Sequence, residues 1–366
     1  MKTEVMDWVG ASESQRQQMI ASAAERIRGG ALVAYPTETV YGLGASGLDR
    51  EAVQRIYDVK GRPLDRPLLL AVTGPEMLDG VVREVSEQAR SFMDAFWPGP
   101  LSLVLPRSNR VPDAVTAGRE GVGIRCPDHP AARALIREAG VPVTAPSANT
   151  SGEPSCRAAS EVVEHLGGRI ECVIDGGRLE GTVESTVLDL TGEVPVVLRR
   201  GALSLDDLKA YGPVLSSDRS LVVICTGNTC RSPVAAAILS DRLGGSIRVE
   251  SAGVRPHRGS PATEESVIAA SEAGYDLDDH RARGLDEINW DGVGLALTMT
   301  AGQAVEVRSY LQEREGGATR VLTLGGLVGE GDVPDPIGGP LSRYQNMVAR
   351  LEQLVARGMD EICHHM

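Results

Sequence analysis

Nine consecutive residues carry the strongest chemistry in this chain: Cys225-Thr226-Gly227-Asn228-Thr229-Cys230-Arg231-Ser232-Pro233. They lie between an apolar run, Leu221 to Ile224, and a stretch with helix-forming spacing that starts at Pro233. A loop in that place can wrap successive backbone N–H groups around a phosphate-sized anion, and the following helix adds its positive end. The same field favours a thiolate, which makes Cys225 the candidate nucleophile. Arg231 offers a planar fork for two phosphate oxygens. Gly227 is expected to supply a backbone turn that other residues resist. Asn228 is placed to brace the loop, and Ser232 to donate a hydrogen bond to the sulfur. Thr226, Thr229 and Cys230 complete the loop. A phosphate ester or amide also needs its leaving group protonated, and Asp335, between Pro334 and Pro336, is the candidate acid.

The first half of the chain has a different chemistry. Tyr35-Pro-Thr-Glu-Thr39-Val-Tyr-Gly-Leu-Gly44 follows an apolar run. Lys60, Arg62 and Arg66 crowd into one short segment, and Ala145-Pro-Ser147-Ala-Asn-Thr-Ser-Gly152 follows another apolar run. Glu184-Ser185-Thr186 and Leu198-Arg199-Arg200-Gly201 come later. Hydroxyls, glycines and cations at strand ends suit a polyphosphate and a small polar substrate. The chain has no Gly-x-x-x-x-Gly-Lys-Ser phosphate loop, so a nucleotide would rest on Lys60, Arg62, Arg66 and Arg199.

The elements that position these groups fall into two patterns. Up to about residue 200, helical spacing over Glu13–Arg28, Glu51–Val59 and Pro130–Ala139 is interleaved with many short apolar strands and Gly/Pro turns, which predicts a mixed α/β domain. From Ser220 onward strands and helices alternate, and the last helix is expected over Leu341–Arg357. That order predicts a doubly wound, four-stranded parallel sheet with the phosphate-binding loop at its first strand end. The domains are read as 1–205 and 220–366, joined by a polar linker over 206–219. The tail Cys363-His364-His365 lacks the second ligand pair that a metal site needs and is expected to be a frayed terminus.

At 366 residues the chain exceeds what one small core serves, in keeping with two domains. Lys and Arg total 37 against 50 Asp and Glu, a net charge of −13, which lacks the basic excess of a dedicated nucleic-acid binder. Six scattered cysteines do not make a disulfide framework, so free thiols and a cytoplasmic location are expected. No run of about 18 apolar residues marks a membrane span.

Residues 220–360 resemble the low-molecular-weight protein tyrosine phosphatase family through Cys225–Pro233, Ser251-Ala-Gly253 and Asp335-Pro336. The resemblance implies a phosphocysteine intermediate, with Cys225 attacking, Arg231 binding phosphate, Asp335 acting as acid and then base, and no metal. Thr229 and the Asp-Pro-Ile-Gly-Gly run are similar to protein-arginine phosphatases, which favours a phosphoarginine protein substrate. Phosphotyrosine and, with the second thiol Cys230, arsenate stay open. Residues 12–205 resemble YrdC-like threonylcarbamoyl-AMP synthases through Pro-Thr-Glu-Thr-Val-Tyr-Gly-Leu-Gly, Lys-Gly-Arg-Pro, Phe-Trp-Pro-Gly-Pro, Pro-Ser-Ala-Asn-x-Ser-Gly and Glu-Ser-Thr. This implies condensation of L-threonine, bicarbonate and ATP with Mg²⁺, to feed a tRNA-modifying complex. It places threonine on Thr39, Arg125 and Ser185, and ATP on Lys60, Arg62, Arg66, Ser147 and Arg199. Ala71 departs from a family histidine and Arg200 from a proline. The alternative for this half is an RNA-binding module without synthase activity.

Overall fold

A computed structural model of the chain describes residues 2–180, 183–314 and 319–366. The chain divides into one unit of 1–191 with 197–212 and a second of 192–196 with 213–366.

In the first unit, Glu13–Arg28 is a helix because Ile20, Ala23, Ala24 and Ile27 share one buried face. Its start is fixed by Ser12, whose hydroxyl and Gln15 form a reciprocal capping box. Pro130–Ala139 has the predicted bounds, with Pro130 at its first position and Gly140 left-handed after its last. These two helices pack together over strands Val33–Tyr35 and Cys172–Asp175, burying Ala23, Ile27, Leu135 and Ile136. One small sheet has the order Glu4–Asp7, Cys172–Asp175, Val33–Tyr35, Gly42–Gly44. A larger sheet contains, in order, Val196–Arg199, Thr186–Asp189, Leu101–Pro106, Gly121–Arg125, Leu69–Ala71 and Val143–Thr144. The strand Glu4–Asp7 and the helix Glu87–Phe96 are not anticipated from the sequence. The strand buries only Met6 and is held by parallel pairing with Cys172–Asp175, a long-range contact that local periodicity does not encode. The helix Leu205–Lys209 lies in the segment read as a linker and starts at a Ser204–Asp207 capping box.

In the second unit, four parallel strands have the order Arg248–Gly253, Ser220–Cys225, Val293–Thr298, Arg320–Thr323. Both faces are covered, as a near-continuous apolar strand requires. Leu221, Val223 and Cys225 face a core shared with the helices Arg231–Arg242 and Leu341–His365. Val222 and Ile224 face the other core, with Ala304 and Val307 of the helix Ala301–Gln312. The expected doubly wound parallel sheet is therefore present. The tail is a correction: the last helix runs to His365, because Ile362 and Cys363 are buried in that core and the apolar stripe continues past Arg357.

Candidate active sites

Strand Ser220–Cys225 is central in its sheet and delivers Cys225 to the carboxyl edge. The loop folds back across the neighbouring strand end at Gly253, which pairs with Cys225. A Cβ on Gly253 would lie 2.6 Å from the Thr226 carbonyl oxygen and 3.1 Å from the Asn228 nitrogen, so only glycine fits there. The conformation expected of Gly227 belongs instead to Asn228, which has φ 56° and is the left-handed residue of the loop. Asn228 tolerates that geometry because its side chain is fully committed. Its Nδ2 donates to Ser232 Oγ and Ser251 Oγ, both at 2.9 Å, and its Oδ1 accepts the Arg283 N–H at 3.0 Å.

That bracing aims the loop at the sulfur. The Asn228 N–H points at Cys225 Sγ at 3.3 Å, and Ser232 Oγ lies 3.1 Å from the same atom. Ser232 accepts from Asn228, so its own proton faces either the sulfur or the Ala252 carbonyl at 3.3 Å. His280 donates Nε2–H to the Asn228 carbonyl at 2.7 Å, and burial holds its imidazole below the ordinary histidine pKa. Arg231 opens the following helix with its guanidinium buried. It donates to the Val333 carbonyl at 3.1 Å and pairs with Asp335, while its Nε has no partner. Asp335 Oδ1 also accepts the Ile337 N–H at 3.2 Å. Thr229 is half-buried, and its hydroxyl lies 3.6 Å from Cys230 Sγ. Cys230 is a free, buried thiol beside Thr263 Oγ1 at 3.5 Å. Thr226 Oγ1 accepts from Gln303 Nε2 at 3.0 Å. His280, Arg283 and Gln303 escape a reading of the sequence, where each looks like an ordinary polar loop or helix residue.

In the first unit, Arg125 ends its strand with a nearly buried guanidinium. Its Nη2 donates to Glu38 Oε1 at 2.6 Å and to Thr39 Oγ1 at 2.9 Å, and its Nε has no partner. Thr37 and Thr39 share a hydroxyl contact at 3.0 Å that rigidifies the loop after Tyr35. Ser102 pairs in register with Arg125 and touches Ser185 Oγ at 2.8 Å. Arg199 Nη2 donates to the Ser185 carbonyl at 2.9 Å and hydroxyl at 3.1 Å, and Arg199 pairs with Glu184. Backbone pairing of Ser102 with Arg125 thus sets two hydrogen-bonded groups on neighbouring strands, Thr39 with Arg125 and Ser102 with Ser185 and Arg199.

A small cleft is lined by Tyr35, Thr37, Gly42, Ala71, Arg125 and Ser147. Lys60 does not line it. Its ammonium, 1% exposed, donates to the carbonyls of Ser147 and Asn149, both at 2.5 Å, and to Asn149 Oδ1 at 3.3 Å. Burial, reinforced by Arg62, pushes Lys60 down to about 8. Arg62 donates Nε–H to the Arg66 carbonyl at 3.1 Å and Nη2–H to that of Pro67 at 2.8 Å, so it shapes its own loop. Arg66 is exposed and outside the cleft lining.

Comparison with known proteins gives the class of each unit. Residues 25–201 match the Sua5/YciO/YrdC family (Telomere recombination), and residues 220–365 match the low molecular weight phosphotyrosine protein phosphatase family. The threonylcarbamoyl-AMP synthase of Pyrococcus abyssi is 48% identical over 201 residues, 55% of this chain and 59% of that protein. That of Pseudomonas syringae is 36% identical over 169 residues, 46% of this chain and 90% of that protein. The structure of a doubly alanine-substituted P. abyssi Sua5 is 34% identical, with TM-score 0.56, covering 88% of this chain and 99% of that one. The chain belongs to the threonylcarbamoyl-AMP synthase family and carries a low-molecular-weight phosphatase domain fused after it. It spans 59% of the length of the P. abyssi and Bacillus subtilis synthases it matches.

Proposed function

We propose that the chain is a bifunctional enzyme, an L-threonylcarbamoyladenylate synthase joined to a cysteine-dependent protein phosphatase that prefers phosphoarginine. For the synthase, the supporting observation is the Arg125 guanidinium, held by Glu38 and Thr39 with its Nε unpaired beside the cleft. A carboxylate such as that of L-threonine satisfies a fork of this kind. A solved relative, P. abyssi Sua5, was crystallised complexed with L-threonine at 29% identity and TM-score 0.56. Threonine nitrogen takes up bicarbonate carbon with loss of water, and the resulting carbamate oxygen attacks the α-phosphorus of ATP, releasing pyrophosphate. Thr39, Arg125 and Ser185 orient the amino acid. Ser147, Arg62, Arg66 and Arg199 serve ATP, and Lys60 acts by holding the Ser147 loop. Bringing two anions to a triphosphate is work for positioning and fixed charge. Mg²⁺ would accompany the ATP, held through its phosphate oxygens. The product suits a downstream tRNA-modifying complex.

For the phosphatase, the carrying observation is the convergence of Cys225, Asn228 N–H, Ser232 and Arg231 on one loop, with Asp335 on the guanidinium. Cys225 sulfur attacks phosphorus as Asp335 protonates the departing nitrogen or oxygen. Water then attacks the phosphocysteine, Asp335 takes its proton, and inorganic phosphate leaves with the thiolate restored. Thr229 at the loop, and glycines rather than aromatics at 338 and 339, favour a guanidinium over a phenyl leaving group. No helix of the described residues is long and apolar enough to cross a membrane.

The test is reciprocal inactivation of the full chain. Pyrophosphate release should require ATP, L-threonine and bicarbonate together, fall in Arg125→Ala and persist in Cys225→Ser. Phosphate release from phosphoarginine should show the opposite pattern. Salt-sensitive RNA binding without pyrophosphate release would replace the synthase reading with the RNA-binding one. Arsenate reduction without phosphate release would replace the phosphatase reading.

A further inference from the structure

Gln303 is a buried polar side chain, 4% exposed, on the helix Ala301–Gln312, with no part in the chemistry described above. Both ends of its amide are engaged. Oε1 accepts the N–H groups of Met299 and Thr300, each at 3.1 Å, where strand Val293–Thr298 turns into the helix. Nε2 donates in the other direction, to Thr226 Oγ1 of the phosphate loop at 3.0 Å. The turn held by Oε1 is also where the acid loop is attached. The Val333 N–H donates to the Met299 carbonyl at 2.8 Å, and Asp332 Oδ1 accepts the Ala301 N–H at 2.9 Å. Val333 in turn gives its carbonyl to Arg231, two residues before Asp335.

From these contacts we infer that Gln303 is a positioning residue that sets the spacing between the nucleophile loop and the general-acid loop. This deepens the phosphatase reading and rests on it. One planar amide spans the two loops, donating to one and accepting from the anchor of the other. Few side chains can do this, because the task needs a donor and an acceptor at fixed separation. Thr226 is adjacent to Cys225, and Asp335 is two residues beyond Val333. A shift in either anchor therefore moves the sulfur relative to the carboxyl. Proton delivery has steep geometric demands, and a small misplacement costs up to about a hundredfold.

The consequence is specific to the leaving group. A nitrophenolate departs with little help, whereas a phenolate needs a proton from Asp335. Gln303→Met keeps length and volume and removes both arms. The full chain carrying it should lose about tenfold or more in kcat/KM on phenyl phosphate and less than about threefold on para-nitrophenyl phosphate, a ratio that reports leaving-group departure and not the phosphocysteine hydrolysis common to both esters. Thr226→Val cuts the same link from the other end without touching the helix, and should reproduce the substrate-dependent loss. Gln303→Glu keeps the acceptor for Met299 and Thr300 and lets the Thr226 hydroxyl donate, so it should restore most of the ratio. Equal losses on both substrates in Gln303→Met and Thr226→Val, or no loss in either, overturns the inference. If Gln303→Met does not fold, Thr226→Val alone decides it. Absence of turnover by the unmutated chain on either ester would instead strike the phosphatase reading, a separate outcome.

Discussion

Arg231 and Asp335 stand 104 residues apart in sequence and form an ion pair in which the guanidinium is 4% exposed and the carboxylate 40%. The candidate phosphate-binding group and the candidate acid therefore hold each other at the mouth of one loop. A phosphate group entering the loop would compete for the guanidinium and release the carboxylate toward the leaving group. Arg231→Lys keeps the charge and loses the fork. It is expected to lower kcat/KM for phosphoarginine by about two orders of magnitude or more, with pyrophosphate release by the other unit unchanged. Retention of most phosphatase activity in Arg231→Lys would show that bidentate binding is not used.

Thr229 is the proposed selector of substrate. Thr229 is half-buried in the phosphate loop with its hydroxyl 3.6 Å from Cys230 Sγ, and Ile337, two residues after Asp335, is 61% exposed. A guanidinium brings N–H donors that a hydroxyl can accept, and a branched aliphatic wall leaves one unsatisfied at about 1–3 kcal/mol. Thr229→Ile should lower phosphoarginine turnover by about one to two orders of magnitude while phosphotyrosine turnover holds or rises. An unchanged ratio of kcat/KM values removes Thr229 as the selector.

Asn228 is needed twice, for its backbone and for its side chain. With φ 56° it sits where glycine is easier, yet its amide joins Ser232, Ser251 and the Arg283 N–H. Asn228→Gly keeps the turn and loses those bonds. Asn228→Ala loses both. Unpairing a buried group costs about 1–3 kcal/mol, so both variants should melt earlier, with Ala lower than Gly, and both should lose phosphatase activity. Chemical unfolding monitored in the phosphatase unit checks the order. Equal stability of the two variants would mean that the left-handed turn carries no strain.

Lys60 links pH to the Ser147 loop. Burial lowers its pKa from the ordinary 10.5 to about 8 in the folded chain. Between those values the unfolded chain binds more protons, so this group's contribution to stability rises with pH across about 8 to 10.5 and is flat below. Loss of the proton also removes a donor from the loop carbonyls. Pyrophosphate release should therefore fall above about pH 8 as this contribution to folding stability grows. Lys60→Met should abolish that alkaline limb in the pH profile. A limb that survives in Lys60→Met belongs to another group.

Thiol reactivity should separate the cysteines by environment. Burial pushes Cys126, Cys156, Cys172 and Cys363 up to about 11. Cys225 instead faces the Asn228 N–H and the Ser232 hydroxyl. Brief treatment with iodoacetate at neutral pH, followed by peptide mass spectrometry, should find Cys225 modified first and the other four untouched. Inorganic phosphate should protect it. Faster labelling of any of those four places the reactive thiol elsewhere.

The residues that would do the chemistry were legible as motifs, because reactive groups cluster where a strand ends and a loop begins. Cys225, Arg231 and Asp335 stand out by type and spacing, and the alternation of strands and helices after Ser220 is enough to predict the parallel sheet. Local signals also placed the helices Glu13–Arg28 and Pro130–Ala139, whose caps and apolar faces lie within each segment. Tertiary structure decided what spacing along a chain cannot carry. It assigned the left-handed turn to Asn228 rather than Gly227, since that depends on which side chain finds partners in Ser251 and Arg283. It turned Lys60 inward, because the Ser147–Asn149 carbonyls converge on it from a segment far along the chain. It extended the last helix over Cys363, because that residue finds a core to enter. Finally, it joined Gln303 to Thr226 across 77 residues, a contact between two ordinary polar side chains with no trace in either local sequence.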